Sequence, residues 1–405
     1  MNATERNASF FPLYLMALGA FAIGTEGFMI AGLLPSIAHD LSTTTAMAGQ
    51  LVTIFALAYA VSSPVMIALT SHFNRRSVLI VSMAAFAVAN VLAAVSHTFM
   101  MLAFARVLLA IMSGLYIPGA LALASAIVAP ERRGHGLAIV SAGTTIAIGL
   151  GVPLGAIIGA AYGWHETFVG VAILSAIATV GLAWGLKPGM ATAVKVPGLA
   201  ERFAVVRQPA VLHALLMTTL WSSGTYAVYT FLSVLLPSLT HLLPIHFGIV
   251  FFLWGGAAAV GLFLGGIGSD RLGAKRVIFI ALPVIAVALT SFSLIGRLWG
   301  TEVATPLILI VVVLWGTAAW AVHPAQQTRL IQIGGAHIAP VALSLNASFL
   351  YLGFSLGAAL GSFALSHGGP LALGWVGGLC EMTALAVMFL ITRARVPTPA
   401  IATSL

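Results

Sequence analysis

The segment SDRLGAKRV, at residues 269–277, resembles the segment TSHFNRRSV, at residues 70–78, which lies 199 residues earlier in the chain. Two other features recur at almost the same distance. The Gly-Thr pair at 24–25 is repeated at 224–225, and the glycines at 151, 155 and 159 are repeated at 353, 357 and 361. Three repeats at nearly one offset indicate that the chain consists of two related halves.

Long apolar runs surround both segments. The chain has 405 residues, of which 60% are hydrophobic and 6% are charged, whereas a soluble domain carries about 25% charged residues. β-barrel strands would alternate apolar and polar residues, but these runs are continuous. A membrane-crossing helix needs about 20 apolar residues. We therefore predict an all-α integral membrane protein with about 12 transmembrane helices, over residues 10–34, 47–69, 77–96, 98–123, 137–161, 167–186, 210–236, 246–268, 277–296, 304–325, 339–364 and 371–392.

The basic residues lie almost entirely on one side of these predicted helices. Of the 17 Lys and Arg residues, 15 fall at the termini or in every second loop, while Arg297 lies on the other side and Arg106 within a span. The positive-inside rule then places both termini in the cytoplasm. Because this topology accounts for the net charge of +8, we exclude nucleic acid as a partner.

The longest predicted cytoplasmic loop divides the chain. Residues 187–209 are the only stretch with the charge density of a soluble protein. We expect one six-helix bundle over 1–186, a cytoplasmic linker over 187–209 and a second bundle over 210–405. Two bundles related by a pseudo-two-fold repeat are a transporter architecture, with the substrate site between them near the middle of the membrane.

Cofactor and metal signals are absent from the sequence. The single cysteine, Cys380, excludes an intrachain disulfide framework, and the 11 His residues show no metal-ligand spacing. There is no Walker A motif, so ATP is not the expected energy source. We predict no metal, no cofactor and no enzyme activity.

Longer motifs carry a family resemblance. They are GTEGFMIAGLLPSIAHDL at 24–41, ARVLLAIMSG at 105–114, GVPLGAIIGAAYGWHETF at 151–168, PAQQTRL at 324–330 and SLNASFLYLGFSLGAALG at 344–361. Together with SDRLGAKR they resemble the drug:proton antiporter branch of the major facilitator superfamily, near the sugar, purine and chloramphenicol exporters. The resemblance implies a proton-coupled efflux transporter of the bacterial inner membrane that works by alternating access. We expect a monomer whose partners are a small-molecule substrate, protons and the lipid bilayer.

The resemblance assigns a role to the loop at 269–276. In the family this loop is a latch between helices that closes one conformation, and here it contains Asp270, Arg271 and Gly273. Gly273 provides the turn, and Asp270 can meet a basic side chain or a helix N-terminus. The alternative is an ordinary basic cytoplasmic turn.

The fifth predicted helix resembles another signature of that branch. Pro153 removes one backbone donor and bends a helix, and the spacing of Gly151 and Gly155 lets a neighbouring helix approach closely. The sequence leaves open whether this segment is a hinge needed for antiport, a site of close packing, or both.

Two charged residues inside the membrane are the strongest functional signal. An ionised carboxylate at mid-membrane costs about 2.5–3.5 kcal/mol, so Glu26 is predicted to carry the coupled proton. The alternative is a structural carboxyl group that bonds a neighbouring helix. Arg106 matches the arginine of the family's fourth helix and keeps its charge, although it could instead snorkel to the interface. Whether Glu26 contacts Arg106 is not decided by sequence.

The predicted substrate cavity is aromatic and weakly polar. Tyr226, Tyr229, Trp320 and Asn346 lie in mid-span and could stack on or hydrogen-bond a ligand, or could simply pack. This composition favours small neutral or amphipathic cargo such as drugs, sugars or nucleosides.

Three further polar residues within predicted spans are expected to have structural roles. They are Glu381, His213 and His323.

The alternative functions for the protein are a proton-coupled importer or a facilitative uniporter and, more remotely, a polytopic membrane enzyme.

The predicted topology can be tested by cysteine labelling. Single cysteines at Thr43, Val196 and Thr301, in a Cys380→Ala background, are treated with an impermeant maleimide on intact cells. Thr43 and Thr301 should be labelled, and Val196 should be labelled only after lysis, because the loops rich in Lys and Arg stay in the cytoplasm. Labelling of Val196 on intact cells would invert the orientation.

Overall fold

A computed structural model of the chain describes residues 10–129, 132–187 and 198–393. Every regular element within these ranges is helical. The helices are α1 Phe11–Asp40, α2 Thr45–Leu69, α3 Arg75–Ala94, α4 Phe99–Ile127, α5 Arg133–Tyr162, α6 Trp164–Gly185, α7 Leu199–Val206, α8 Pro209–Tyr229, α9 Leu232–Leu239, α10 Phe247–Gly268, α11 Ala274–Leu298, α12 Thr301–Gly335, α13 Val341–Gly368 and α14 Ala372–Arg393.

The predicted all-α membrane fold is confirmed, with one helix interrupted. Within the described residues, 11 helices are long and apolar enough to cross a membrane. The predicted continuous helix over 210–236 is wrong, because the chain breaks at Thr230 and Phe231 into α8 and α9. α8 is not one of these 11 helices, because Thr and Ser residues between 218 and 225 make it less apolar.

Helix ends and outer faces follow from local chemistry. Thr44 and Thr98 cap α2 and α4, since their hydroxyl oxygens accept from Met47 N at 3.1 Å and Met101 N at 3.2 Å. Large apolar side chains cover the outside of the molecule, as hydrocarbon contact requires. The exposed set includes Val61, Val88, Phe104, Trp184, Phe263 and Val287.

The repeated glycines occupy equivalent places in the two halves. On α5, a Cβ at Gly155 would lie 3.0 Å from the Met29 side chain of α1. On α13, a Cβ at Gly361 would lie 2.7 Å from the Ala227 carbonyl oxygen of α8. Small residues thus let α5 pack closely on α1 and α13 on α8, so the sequence repeat corresponds to a repeated pair of helix contacts.

The middle of α5 departs from α-helical geometry. Residues Ala147–Gly151 form a π-helical turn that ends two residues before Pro153. Pro153 cannot donate a backbone hydrogen bond, and such turns mark local irregularities in helices. A Cβ at Gly151 would overlap the Thr25 side chain of α1. The predicted irregularity is therefore present and packs against α1, while its role as a hinge stays a prediction.

The charged loop of the first half fastens two helices. Asn74 caps α3 through Oδ1, which accepts from Arg76 N at 2.9 Å. The Arg76 guanidinium donates to Leu186 O at 2.5 Å and to Ala183 O at 2.8 Å. These are carbonyl groups at the C-terminal end of α6, where a cation is electrostatically favoured.

The predicted linker is described only in part. Its residues 188–197 lie outside the described ranges, and the division of the chain at 187–209 stays a prediction. The short helix α7 follows this gap and packs against α8 and α13. Arg202 of α7 donates from Nη1 to Ser344 Oγ at 2.7 Å.

The predicted halves meet where α2 packs on α13 and α5 packs on α10. At the second contact, a Cβ at Gly255 would lie 2.8 Å from Gly149 Cα and closer still to the Ile148 carbonyl oxygen. The neighbouring Gly256 has no heavy atom within 4 Å of the same position. Only glycine at 255 allows α5 and α10 to approach this closely.

Gly255→Ala should reduce the population of this arrangement, relative to conformations in which α5 and α10 are further apart, by roughly tenfold or more, because overpacking costs about 1–3 kcal/mol. The readout is the maleimide labelling rate of a cysteine at Val234, which lines the space between α5, α9 and α10, in a Cys380→Ala background. We expect faster labelling in Gly255→Ala and no change in Gly256→Ala. Equal rates in the two alanine variants would contradict the proposed packing constraint.

Candidate functional site

Glu26 of α1 and Arg106 of α4 form a buried ion pair. Both side chains are 0% exposed, and Arg106 Nη1 donates to Glu26 Oε1. The guanidinium also donates from Nε to the Leu51 carbonyl oxygen of α2 at 3.4 Å and lies 4.1 Å from the centre of the Phe55 ring. The pair therefore connects α1, α2 and α4 at one point inside the protein.

The hydrogen bonding of this pair is incomplete. Glu26 Oε2 and Arg106 Nη2 are buried, and neither has a hydrogen-bond partner among the described residues. Leaving a buried polar atom unpaired costs about 1–3 kcal/mol, and removing one partner of a buried ion pair costs about 3–5 kcal/mol. A proton on Glu26 would cancel the charge that stabilises Arg106, so the local packing depends on protonation.

An aromatic layer begins next to the pair. The Phe28 ring, two residues beyond Glu26, lies 6.1 Å from Tyr226, 6.1 Å from Tyr229 and 6.3 Å from Trp320 between ring centroids. Three of the four predicted cavity residues thus come together around α1.

The layer extends to both sides of the contact between the halves. Tyr226 stacks on Phe354 with ring centroids 3.5 Å apart, and Tyr59 of α2 stacks on Tyr351 of α13 at 3.6 Å. We use the name aromatic layer for Phe28, Tyr59, Tyr226, Tyr229, Trp254, Trp320, Tyr351 and Phe354.

Asn346, the fourth predicted cavity residue, lies elsewhere. It is buried, and its Oδ1 accepts from Thr218 Oγ1 at 2.7 Å. Gln326 Nε2 donates to the same hydroxyl group at 3.0 Å and to Ala214 O at 2.6 Å. These bonds join α8, α12 and α13, which corresponds to the packing alternative for Asn346.

Two cavities lie on opposite sides of the aromatic layer. The first has a volume of about 390 Å³ and the second about 370 Å³. On α1, Ala20 lines the first cavity and Gly32 lines the second, with Phe28 between them. The polar residues of the first cavity are Ser141, Thr144, Thr145, Trp320, His323 and Gln327. Among the described lining residues of both cavities, His323 is the only titratable side chain.

His323, expected from the sequence to be a packing residue, also lines the first cavity. Its ring lies 5.8 Å from Trp320, and its Nε2 is 2.9 Å from Gln327 Nε2. The spacing of four residues between His323 and Gln327, beside the PAQQTRL motif, would have indicated a shared helix face. His213, in contrast, is exposed at the start of α8.

Hydrogen bonds close the interface around the second cavity. Tyr229 donates to Phe28 O at 3.2 Å and Ser233 donates to Ala31 O at 2.5 Å, which joins α8 and α9 to α1. Ser362 of α13 donates to Ala46 O of α2 at 2.7 Å. The two halves are therefore held together on this side of the aromatic layer.

The loop at 269–276 adopts the turn expected of it. Residues Ser269–Gly273 form a π-helical turn, and Gly273 has φ 88°, a conformation that favours glycine. Asp270 and Arg271 are exposed, and Asp270 forms no ion pair with any residue of the described ranges. Its role as a latch stays a prediction.

Comparisons with known proteins agree with this architecture. Residues 16–358 match the family model of the Major Facilitator Superfamily. The chain is 33% identical over 398 residues to the inner membrane transport protein YdhP of Escherichia coli (strain K12), covering 97% of this chain and 99% of that protein. It is 32% identical over 385 residues to a chloramphenicol resistance protein of Streptomyces lividans, covering 93% and 95%.

A solved structure has the same fold. A bacterial homologue of the human lysosomal transporter Spinster, in an inward-facing and occupied conformation, superposes with a TM-score of 0.76 at 18% identity and covers 95% of this chain and 96% of that one. Both the match in sequence to YdhP and the match in fold span nearly all of the chain. This protein therefore belongs to the Major Facilitator Superfamily of multi-pass membrane transporters.

Proposed function

We propose that this protein exports small uncharged or amphipathic molecules across the bacterial inner membrane in exchange for protons. It would belong to the drug:proton antiporter branch and work by alternating access, with both termini in the cytoplasm. The observation that carries the proposal is the fully buried ion pair of Glu26 and Arg106 beside the aromatic layer.

The free energy released by a proton that crosses the membrane is similar in size to the cost of breaking the ion pair. A proton that crosses the membrane releases about 2.3 kcal/mol per 100 mV, and breaking a buried ion pair costs about 3–5 kcal/mol. Protonation of Glu26 would therefore weaken the connection of α1 to α2 and α4 by an amount that the proton gradient can supply. Proton binding would thus be linked to a change in helix packing.

The cavities support the choice of cargo. A volume of about 390 Å³ is within the range of about 300–1,000 Å³ found for sites that bind drug-sized molecules. Hydroxyl, amide and aromatic groups line this cavity without a fixed charge among its described residues, which favours uncharged ligands. The chloramphenicol resistance protein of Streptomyces lividans is a relative over 93% of the chain, so chloramphenicol is the first compound to test.

The two cavities also support alternating access. Each lies between the halves, on opposite sides of the aromatic layer. A rocking motion that separates α1 from α9 and α2 from α13 would enlarge the second cavity and compress the first. The side with the 35–46 and 239–247 connections would face outward if the positive-inside rule holds.

Glu26→Gln should reduce proton-driven chloramphenicol uptake into inverted membrane vesicles by about tenfold or more, because the coupled proton supplies about 2.3 kcal/mol per 100 mV. The measurement is radiolabelled chloramphenicol accumulation with an acidified vesicle interior. Glu166→Gln, an exposed carboxyl group on α6, is the control and should behave as the unmodified protein. Uptake in Glu26→Gln that still follows the proton gradient would remove Glu26 from this role, and gradient-independent flux in the unmodified protein would favour the uniporter.

Trp320→Ala should raise the KM for chloramphenicol about tenfold, because an aromatic contact buried in a ligand site contributes about 1.5–3 kcal/mol. Trp184→Ala is the matched control, since Trp184 is 85% exposed on the outer face of α6. The concentration dependence of uptake in inverted vesicles gives both KM values. An unchanged KM in Trp320→Ala would place the substrate outside the first cavity.

A further inference from the structure

A second carboxyl group is buried in the other half of the protein. Glu381 of α14 is 0% exposed. Its Oε1 accepts a hydrogen bond from Thr225 Oγ1 of α8 at 3.3 Å, and its Oε2 is buried without a hydrogen-bond partner among the described residues. The carboxyl group lies close to the backbone of α8: a Cβ at Gly224 would be 2.7 Å from Oε1.

The position of Glu381 is related to that of Glu26 by the internal repeat. Gly24 and Thr25 immediately precede Glu26, and their counterparts on α8 are Gly224 and Thr225. The residue that follows this second pair is Tyr226, not an acid. Glu381 therefore brings a carboxyl group, from a different helix, to the repeated Gly-Thr pair.

The two carboxyl groups differ in their charge partners. Glu26 contacts Arg106, whereas no cation of the described ranges lies within ion-pair distance of Glu381. The titratable residues on its own helix and on the helices packed against it are Cys380 and Arg393 on α14, His213, Tyr226 and Tyr229 on α8, Lys275, Arg276 and Arg297 on α11, and Tyr351 and His367 on α13. A buried carboxylate without a partner is strongly disfavoured, so this arrangement favours the neutral form of Glu381, whereas Arg106 can compensate a charge on Glu26.

One side chain separates Glu381 from the middle of the protein. Thr225 also lines a small central cavity, together with Trp221, Ser222 and Tyr226. α8 ends four residues further on, at Tyr229, and the chain breaks at Thr230 and Phe231. A movement of α8 about this break would change the distance between Thr225 and Glu381 and so the access of water to the carboxyl group.

We propose that Glu381 is a second proton-binding residue of the transport cycle, reached from the central cavity through Thr225. This inference rests on the proposed proton antiport. In the release step the Glu381 O–H bond breaks and the proton passes to water in the cavity. The Thr225 hydroxyl group then donates a hydrogen bond to the carboxylate that remains. In the loading step water returns a proton to the same oxygen. The protein then exchanges one proton at Glu26 and one at Glu381 for each substrate molecule.

The proton stoichiometry tests this inference independently of transport rate. Purified protein in proteoliposomes is given a tenfold chloramphenicol gradient with the membrane potential clamped at zero, and the pH difference at which net flux reverses is measured. Flux should reverse at about 0.5 pH unit in the unmodified protein and at about 1 pH unit in Glu381→Gln, because each pH unit is a tenfold proton ratio and the variant exchanges one proton fewer. Glu302, an exposed residue at the start of α12, provides the control. Net flux in Glu302→Gln should reverse at the same pH difference as in the unmodified protein.

The other outcomes separate the two proposals. Reversal at the same pH difference in Glu381→Gln and in the unmodified protein would overturn the role of Glu381 and leave proton antiport intact. Flux in the unmodified protein that does not respond to a pH difference would contradict the proposed antiport, and the inference with it.

A second pair of variants applies even if Glu381→Gln does not fold. Thr225→Val removes the hydroxyl group that contacts Glu381, and Thr225→Ser keeps it. The reversal point should move towards about 1 pH unit in the valine variant, as expected for loss of one exchanged proton, and should stay with the unmodified protein in the serine variant. Identical reversal points in the two variants would overturn the proposed access through Thr225.

Discussion

The hydrocarbon interior of a membrane cannot solvate a charge, and the arrangement of this protein depends on how it meets that constraint. Arg106 always carries its charge, so it needs a compensating group at its own depth. Glu26 provides that group from a different helix, and the contact connects α1 to α4. The Leu51 carbonyl oxygen and the Phe55 ring add α2 to the same cluster. An electrostatic requirement of one residue thereby determines how three helices of the first half pack.

Apolar helices have little hydrophobic drive to associate inside a lipid bilayer, so packing must come from shape. The glycine stripes of α5 and α13 supply it within each half, where they contact α1 and α8. Gly255 supplies it between the halves, opposite the Ile148 carbonyl oxygen. The halves contact each other along α2 and α13 and along α5 and α10, and hydrogen bonds such as Ser362 to Ala46 and Ser233 to Ala31 close this interface on the side of the second cavity.

The helical membrane fold could be predicted from the sequence because charge-free apolar runs of this length have one physical solution in a bilayer. The face of each helix could not, since a helix apolar on all sides carries no periodic signal. For this reason the sequence left open whether Asn346 lines a cavity or packs, and the structure shows it bonded to Thr218. For the same reason the sequence did not indicate that His323 lines the first cavity. The break at Thr230 was missed because neither glycine nor proline marks it. The contact of Glu26 with Arg106 joins residues 80 positions apart, and only the tertiary packing could establish it.

Arg76 has a mechanical consequence for the join between the halves. Its guanidinium holds the carbonyl groups of Ala183 and Leu186 at the very end of α6, one residue before the predicted linker starts. α7, on the far side of that linker, is held by Arg202 and Ser344 against the second half. The described residues on either side of 188–197 are thus each held by hydrogen bonds, those before it within the first half and those after it within the second. If the halves rock as proposed, the number of residues between these two anchors sets how far they can separate, and we expect deletions there to shorten that distance.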